Sequence, residues 1–443
     1  MIGPRICLRS GKGVAKASMS RWRACDGAII ARYLLRPMDT PVDVRSPRKA
    51  AIAFIFAIVL LDVIALGIVI PVLPKLIETM LGGDTPRAAQ IFGIFGTSWA
   101  LMQFTFSPVL GALSDRFGRR PVLLISMSGH GLDYVLMALA PNLAWLLLGR
   151  IISGITASSF STAYAYIADV TPPEKRAGAF GMVGAAFGIG FVLGPALGGL
   201  LGALDPRLPF WVAAAFSLAN AAYGWFVLPE SLAREHRMDF SWAHANPVGS
   251  LRLFSRHPQL IGLAGVAFLY QLAHVVLPSV TVLYTSYRYG WSNATMGLTL
   301  AAVGIASGIV QAALIRPAVD RFGERTALIV GLLCGAAGFS IYGLATTSVG
   351  FWSGIPVMAL WGLAGAAAMG LMSRLVGVSE QGQLQGANAS IMALAGLFGP
   401  GLFTQAFARS IAPGEGWHLP GAPFLLAAAL LLGAAALAWR VTR

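Results

Sequence analysis

Long apolar runs that alternate with short polar or charged segments dominate the chain after residue 50. A bilayer core about 30 Å thick needs roughly 20 apolar residues for each helical crossing. Twelve such crossings are predicted, and they begin near Ala50, Gln90, Pro121, Asn142, Phe180, Pro209, Pro258, Trp291, Thr326, Phe351, Gly386 and Gly421. The pattern therefore predicts an all-α membrane protein with 12 transmembrane helices.

An internal repeat divides the predicted spans into two pseudo-symmetric six-helix halves. The polar segment at Asp115 recurs at Asp320, and Gly194-Pro195 recurs at Gly399-Pro400, each 205 positions later. Duplicated halves of six helices fit this spacing. We predict an N-terminal half at 50–229, a cytoplasmic linker at 230–257 and a C-terminal half at 258–443.

Residues 1–49 precede the first predicted span and are polar and rich in arginine. The segment lacks the uninterrupted apolar core of a signal peptide, and we predict that it is disordered. A translation start at Met38 is the favoured interpretation, with a functional basic tail as the alternative.

Composition and charge predict how the chain is oriented in the membrane. The chain is 56% hydrophobic and 11% charged, with a formal net charge of +14. With the N-terminus inside, 26 of the 32 lysines and arginines fall in predicted cytoplasmic segments, as the positive-inside rule requires. We predict a multi-pass protein of the cell inner membrane with both termini cytoplasmic, and we attribute the basic charge to topology instead of nucleic-acid binding.

A short basic hairpin joins the second and third predicted spans. Gly118 permits a tight turn, and Arg119 is expected to pair with Asp115, with Asp169 after the fourth span, or with both. Such a pair would latch one conformation, although the positive-inside rule alone also explains the arginines. The predicted conformational latch comprises Gly111, Asp115, Arg116, Gly118, Arg119, Arg120, Asp169 and Arg176.

The fifth predicted span is a helix rich in glycine with an internal proline. Its glycines recur at intervals close to four residues, which lets another helix approach at backbone distance. The residues concerned are Gly190, Gly194, Pro195, Gly198 and Gly199. Ordinary close packing is the alternative to a seam along which the two halves rock.

Three ionisable groups other than histidine lie well inside the spans, and each needs a partner or a water-filled cavity. They are Asp62, Asp133 and Arg150, which we assign to proton coupling with Asp62 and Arg150 as the expected pair. A purely structural ion pair is the alternative. Polar side chains that could reach a substrate, or equally join two helices, are Gln103, Gln271, His274, Gln311 and Asn388.

The sequence contains no motif that indicates a disulfide, a metal site, nucleotide binding or catalysis. The three cysteines have no spacing typical of a disulfide or a metal site, and no phosphate-binding or metalloprotease motif occurs. The six histidines are scattered and do not form a catalytic motif. We therefore predict a protein that is not an enzyme and that holds no metal or cofactor.

These motifs resemble those of the major facilitator superfamily, and within it the twelve-helix drug-proton antiporters. The hairpin, Arg150 with Gly154, and the helix from Gly190 to Gly199 are similar to three of its motifs. Closer likeness to bacterial tetracycline efflux proteins is carried by Leu61-Asp62, Gly67, Pro71-Val72-Leu73-Pro74, Ala165-Tyr166-Ile167-Ala168-Asp169 and Glu380-Gln381-Gly382-Gln383-Leu384-Gln385-Gly386. The chain departs from that group at Ser307 and Gly335, where the group usually has a histidine and an aspartate linked to proton movement.

The resemblance implies a proton-coupled antiporter that exports tetracycline-like or other amphipathic drugs by alternating access. It implies protons, an amphipathic small molecule and membrane lipid as partners, the proton gradient as the driving force, and function as a monomer. An importer of a small metabolite or nutrient on the same scaffold is the alternative, because the fold permits either direction.

Overall fold

The structure is a computed structural model that describes residues 49–157, 159–172, 176–238, 240, 252–377, 380–412, 414 and 418–442. The basic tail before Lys49 and residues 239 and 241–251 of the linker lie outside the described residues. The described part is almost entirely helical and contains no strand.

Twelve helical spans, α1 to α12, cross the bundle, which confirms the predicted fold class. Four are interrupted by a short break. The spans are α1 (Lys49–Val69 and Leu73–Met80), α2 (Thr85–Phe117), α3 (Arg119–Leu139), α4 (Leu143–Thr156 and Ser159–Val170), α5 (Arg176–Leu204), α6 (Leu208–Val227), α7 (Gln259–His274 and Val276–Tyr289), α8 (Asn293–Ile309, the π-helical Val310–Leu314 and residues 315–322), α9 (324–344), α10 (Ser348–Ala359 and Gly362–Arg374), α11 (Gln381–Ile411) and α12 (Ala422–Val441).

The count of twelve rests on length as well as hydropathy. Ten helical segments of the described chain are apolar and long enough to cross a membrane, and one of these, Asn293–Leu344, has 52 residues. At 1.5 Å per residue this segment exceeds two bilayer cores, and it turns at Gly323, which has φ of 79°. The 33-residue helix Thr85–Phe117 supplies the remaining span.

Local sequence explains several of the helix ends. Asp84 accepts a hydrogen bond from the backbone N–H of Arg87 at the start of α2, and Asn142 accepts from Ala144 and Trp145 at the start of α4. Both are N-cap residues that satisfy otherwise unpaired donors. The break in α1 lies at Pro71, which has no N–H to continue the helix.

The two halves meet along two seams. Within the first half α1 packs on α5 and α3 packs on α6, whereas α2 packs along α11 and α5 packs along α8 across the halves. The internal repeat is visible in the backbone, because Gly118 (φ 108°, ψ 162°) and Gly323 (φ 79°, ψ 160°) adopt nearly the same conformation 205 positions apart. We call the end of the bundle that carries these two glycines the hairpin end.

The α5–α8 seam is tight at the opposite end and parts toward the hairpin end. A Cβ placed on Gly199 would lie 2.8 Å from the Cα of Gly297 in α8. Gly188 is three helical turns away on the same face of α5, yet a Cβ there would meet nothing within 4 Å, and the same holds for Gly308 of α8. The halves therefore touch at the end opposite the hairpins and diverge toward the hairpin end.

Candidate functional site

A cavity of about 700 Å³ lies between the halves. Its walls come from α1, α2, α4, α7 and α11, and most of the lining is apolar or aromatic, including Phe92, Phe95, Trp99 and Phe104 of α2. Among the described residues that line it, Arg150 carries the one formal charge. A space of this size with mainly apolar walls and a few polar groups suits an amphipathic small molecule.

Four ionisable side chains form a buried cluster beside this cavity. The Nδ1 of His130 in α3 lies 3.3 Å from Oδ1 of Asp62 in α1. One turn further along α3, Oδ2 of Asp133 lies 3.3 Å from a guanidinium nitrogen of Arg150 in α4. Asp62 and Asp133 are 3% and 0% exposed, so the cluster is held inside the first half and reaches the cavity through Arg150.

The pairing differs from the one expected from the sequence. We predicted that Asp62 pairs with Arg150, whereas the structure places Asp133 against Arg150 and His130 against Asp62. Asp133 can reach Arg150 because it faces Gly149, which has no side chain and leaves room for the carboxylate. A Cβ on Gly149 would lie 2.5 Å from Oδ1 of Asp133. Proton coupling by the three predicted groups stays a prediction.

Sequence reasoning missed His130. A histidine does not carry a permanent charge, but His130 lies one helical turn before Asp133 on the same face of α3. That spacing is the signal that could have identified it.

The hairpin has the predicted ion pairs. Nε of Arg119 lies 3.1 Å from Oδ2 of Asp169, and a terminal guanidinium nitrogen contacts Asp115. A single residue, Gly118, separates α2 from α3. Arg116 and Arg120 lie over the rings of Phe117 and Trp225, no atom would meet a Cβ on Gly111 within 4 Å, and the side chain of Arg176 lies outside the described residues.

A second missed residue, Glu230, closes the hairpin from beyond α6. Its carboxylate accepts hydrogen bonds from the backbone N–H groups of Arg119 (2.8 Å) and Arg120 (3.3 Å). The carboxylate therefore satisfies two donors at the positive end of the α3 dipole. It also occupies the space next to Gly118, where a Cβ would overlap it. The sequence signal is weak, because Glu230 follows a proline after the sixth span and looks like an ordinary loop residue.

The second half repeats the ion pair with its charges exchanged. Glu324 and Arg374 stand 205 positions after Arg119 and Asp169, and a guanidinium nitrogen of Arg374 lies 2.9 Å from Oε1 of Glu324. The echo at Asp320 differs more, because Asp320 and its neighbour Arg316 are largely exposed. The repeated feature is thus the contact between the third and fourth spans of each half.

The glycine-proline helix brings backbones together as predicted. Gly190, Gly194 and Gly198 face α1, where a Cβ on Gly194 would lie 2.7 Å from the Cα of Gly67. Gly199 faces α8 instead, and the carbonyl of Pro195 lies against Gly297. One face of α5 therefore binds α1 within the half, and another forms the seam between the halves.

The predicted polar cavity residues separate into three groups. Gln103 lines the large cavity, whereas Gln271 and Asn388 line a smaller one of about 60 Å³ in the second half. His274 lines neither and stands 5.5 Å from the ring of Trp361, and Gln311 lies exposed in the π-helical turn. His274 and Gln311 thus lie outside these two cavities, because periodicity along one helix does not show which neighbour its polar face meets, and their contact with a substrate stays a prediction.

Position 335 has no room for the aspartate usual in tetracycline exporters. A Cβ on Gly335 would lie 2.6 Å from Trp361 and 2.7 Å from Leu431. Ser307 is half-buried in α8. The ionisable cluster of the first half therefore has no counterpart at these two positions.

Comparisons with known proteins agree with this architecture. The family model described as Major Facilitator Superfamily matches residues 55–400. Tetracycline resistance protein, class C, of Escherichia coli is 40% identical over 381 residues, covering 85% of this chain and 95% of that protein. The class B protein of Escherichia coli is 35% identical, covering 81% and 89% respectively. The crystal structure of the human organic anion transporter MFSD10 is 25% identical with a TM-score of 0.65, covering 88% of this chain and 99% of that one.

Proposed function

This chain belongs to the major facilitator superfamily, and on that premise we propose that it is a proton-coupled antiporter of the bacterial inner membrane. It exports tetracycline-like or other amphipathic drugs by alternating access. The relatives with 35% to 40% identity carry tetracycline resistance in their names, which supports export over the import of a nutrient. The family indicates a transporter and not an enzyme.

The observation that carries the proposal is that a cavity large enough for a drug lies next to buried charged side chains. The cavity of about 700 Å³ has an aromatic wall on α2, and Arg150 joins that wall to the carboxylate of Asp133. A change in protonation at the cluster therefore alters a side chain that faces the cavity. Coupling of this kind needs no cofactor, and the proton gradient supplies the energy.

In the proposed orientation the hairpin end and both chain termini are cytoplasmic. The diverging α5–α8 seam then admits an amphipathic drug from the cytoplasm or the inner leaflet. Rocking about the Gly199–Gly297 contact exposes the cavity to the other side, where protons replace the drug. One chain supplies both walls of the cavity and an ion pair at the hairpin end of each half, so we propose that a monomer surrounded by lipid suffices.

The test is uptake of a drug panel that includes tetracycline into inverted membrane vesicles. We expect at least one member to accumulate when a pH gradient is present and to leave when an uncoupler collapses it. Vesicles that hold the Asp133→Asn variant at equal density serve as the control for coupling. Lack of accumulation of every member by verified, correctly inserted protein would reject export.

A further inference from the structure

We propose that His130 is the residue that binds the exchanged proton, with Asp62 as its counter-ion. The proposal rests on the proposed antiport and names the proton site within it. The observations that carry it are the contact between the imidazole and the buried carboxylate of Asp62, the position of Asp133 one turn further along the same helix, and the charge balance of the cluster.

The contact with Asp62 determines which ring nitrogen of His130 can bind the exchanged proton. A carboxylate is only an acceptor, so the Nδ1 that lies 3.3 Å from Asp62 carries a hydrogen and donates it. Nε2 is then the basic nitrogen of the neutral ring. When a proton binds, it forms an N–H bond at Nε2 and the ring becomes an imidazolium; release breaks that bond and restores the neutral tautomer.

With both carboxylates ionised, the charges of the cluster balance when this proton is bound. Asp62 and Asp133 contribute two negative charges, and Arg150 contributes one positive charge. A buried excess charge is costly in a bundle that is surrounded by lipid. Protonated His130 gives the cluster no net charge, whereas neutral His130 leaves one negative charge. A single proton thus switches the electrostatic state of the cavity wall.

The neighbouring elements bring three charged groups close to His130. α1 presents Asp62, α4 presents Arg150, and α3 itself presents Asp133 and Tyr134, whose ring is 6.4 Å from that of His130. α6, which packs along α3, has no charged residue from Leu208 to Val227. Asp133 already has its Oδ2 at the guanidinium of Arg150, so His130 is the member whose charge can change without breaking that pair.

The proposal also explains how coupling can work although Ser307 and Gly335 replace the ionisable residues that tetracycline exporters usually have in the second half. Gly335 has no space for a carboxylate, and Ser307 does not titrate in the physiological range. A histidine in α3 supplies a titrating group near neutral pH in the half that retains its charges. One proton per cycle is the stoichiometry that this single site predicts.

The first measurement needs no drug. Purified wild-type protein and His130→Gln are titrated between about pH 5 and pH 9, where histidines titrate, with His274→Gln as the control for another membrane histidine. We expect the wild type to bind one proton more than His130→Gln across this range. Indistinguishable titration curves for the wild type and His130→Gln would overturn the proposal, whatever the protein transports.

The second measurement separates proton coupling from transport. With the drug that accumulates best in the vesicle panel, His130→Gln should keep drug exchange without a gradient but lose at least tenfold of gradient-driven accumulation. The pH dependence of its exchange should flatten. The double variant Asp62→Asn/His130→Gln removes both members of the pair and should recover any loss of folded protein but not the coupling. Gradient-driven accumulation by His130→Gln with the wild-type pH profile would reject the proton site while leaving the exporter intact.

Discussion

Single residues explain how the hairpin is held, and Glu230 illustrates this. Its carboxylate accepts two backbone N–H groups at the start of α3 and lies where a side chain at position 118 would have to go. Position 435, which is 205 residues later, is an alanine and cannot supply the same cap in the second half. This cap is therefore a feature of the first hairpin that the internal repeat does not copy.

The Glu230→Ala variant tests that reasoning. Two donors at a helix N-terminus lose their acceptor, and we expect a loss of about 1–2 kcal/mol in the stability of the first half. Thermal unfolding in detergent should show a lower midpoint than the wild type. Glu235→Ala, which changes an exposed glutamate on the following turn, should leave the midpoint unchanged. Equal midpoints for the wild type and Glu230→Ala would contradict the assigned cap.

The contact between His257 and Glu380 predicts a pH effect outside the membrane. Nε2 of His257 lies 3.0 Å from Oε2 of Glu380, and this hydrogen bond lowers the pKa of Glu380 below its usual range. Since the folded-state pKa is the lower one, the contact stabilises the fold above the unfolded-state pKa of glutamate. That stability is lost as the pH falls through the folded-state pKa.

We therefore expect Glu380→Gln to unfold at a lower temperature than the wild type near neutral pH. The difference should shrink as the pH falls below the ordinary range of a glutamate and then disappear. Differential scanning fluorimetry across a pH series measures it, with Glu235→Gln as the matched exposed control. A difference that is the same at all pH values would show that the effect is not due to the ionised carboxylate.

At the scale of elements, apolar run length was enough to predict all twelve spans, including the pair joined at Gly323. The offset of 205 also relates features that were not predicted, since Gly323 repeats the backbone of Gly118 and the Glu324–Arg374 pair stands where Arg119 and Asp169 stand in the first half. Pairing inside the bundle was less predictable. Which carboxylate reaches Arg150 depends on the missing side chain of Gly149 in the facing helix, and one-dimensional periodicity has no information about that contact.

The exchanged charges of the two ion pairs, Arg119–Asp169 and Glu324–Arg374, give a prediction for α9 and α10. Arg374→Asp places a second carboxylate beside Glu324, whose side chain is 13% exposed, and should lower both the unfolding midpoint and the transport rate. Glu324→Arg combined with Arg374→Asp restores an ion pair with the polarity of Arg119 and Asp169. We expect most of the loss to be recovered, with a coupling energy of about 0.5–1 kcal/mol because Arg374 is largely exposed.

A double-mutant cycle on Arg316 and Asp320 is the control for this pair. Their side chains are 92% and 71% exposed, so their coupling should be close to zero. If the exchanged pair at 324 and 374 recovers no stability, the contact between α9 and α10 is packing without an ionic contribution.

At the scale of the whole molecule, the two halves are joined at the end opposite the hairpins by few polar contacts. Nζ of Lys75 in α1 donates to Oγ of Ser286 in α7 at 2.7 Å, and the amide of Asn293 donates to the carbonyl of Gly202 at 3.0 Å. These bonds must break when this end opens, whereas the ion pairs that the described residues form at the hairpin end lie within single halves. The equilibrium between the arrangement that is closed at this end and the one that is open there therefore depends on contacts worth about 1 kcal/mol each.

Ser286→Ala removes one of these contacts and leaves the Lys75–Glu78 ion pair in place, at 2.6 Å. The closed arrangement of this end should lose about 1 kcal/mol, so the population that is open there should rise about fivefold. The labelling rate of a cysteine introduced at Ser279 in the cavity wall, by a membrane-impermeant reagent applied to whole cells, should rise by a similar factor. Ser340→Ala, whose hydroxyl donates to Ala336 within α9, should not change the rate. An unchanged rate in Ser286→Ala would mean that apolar packing at Gly199 and Gly297, and not the polar contact, keeps this end closed.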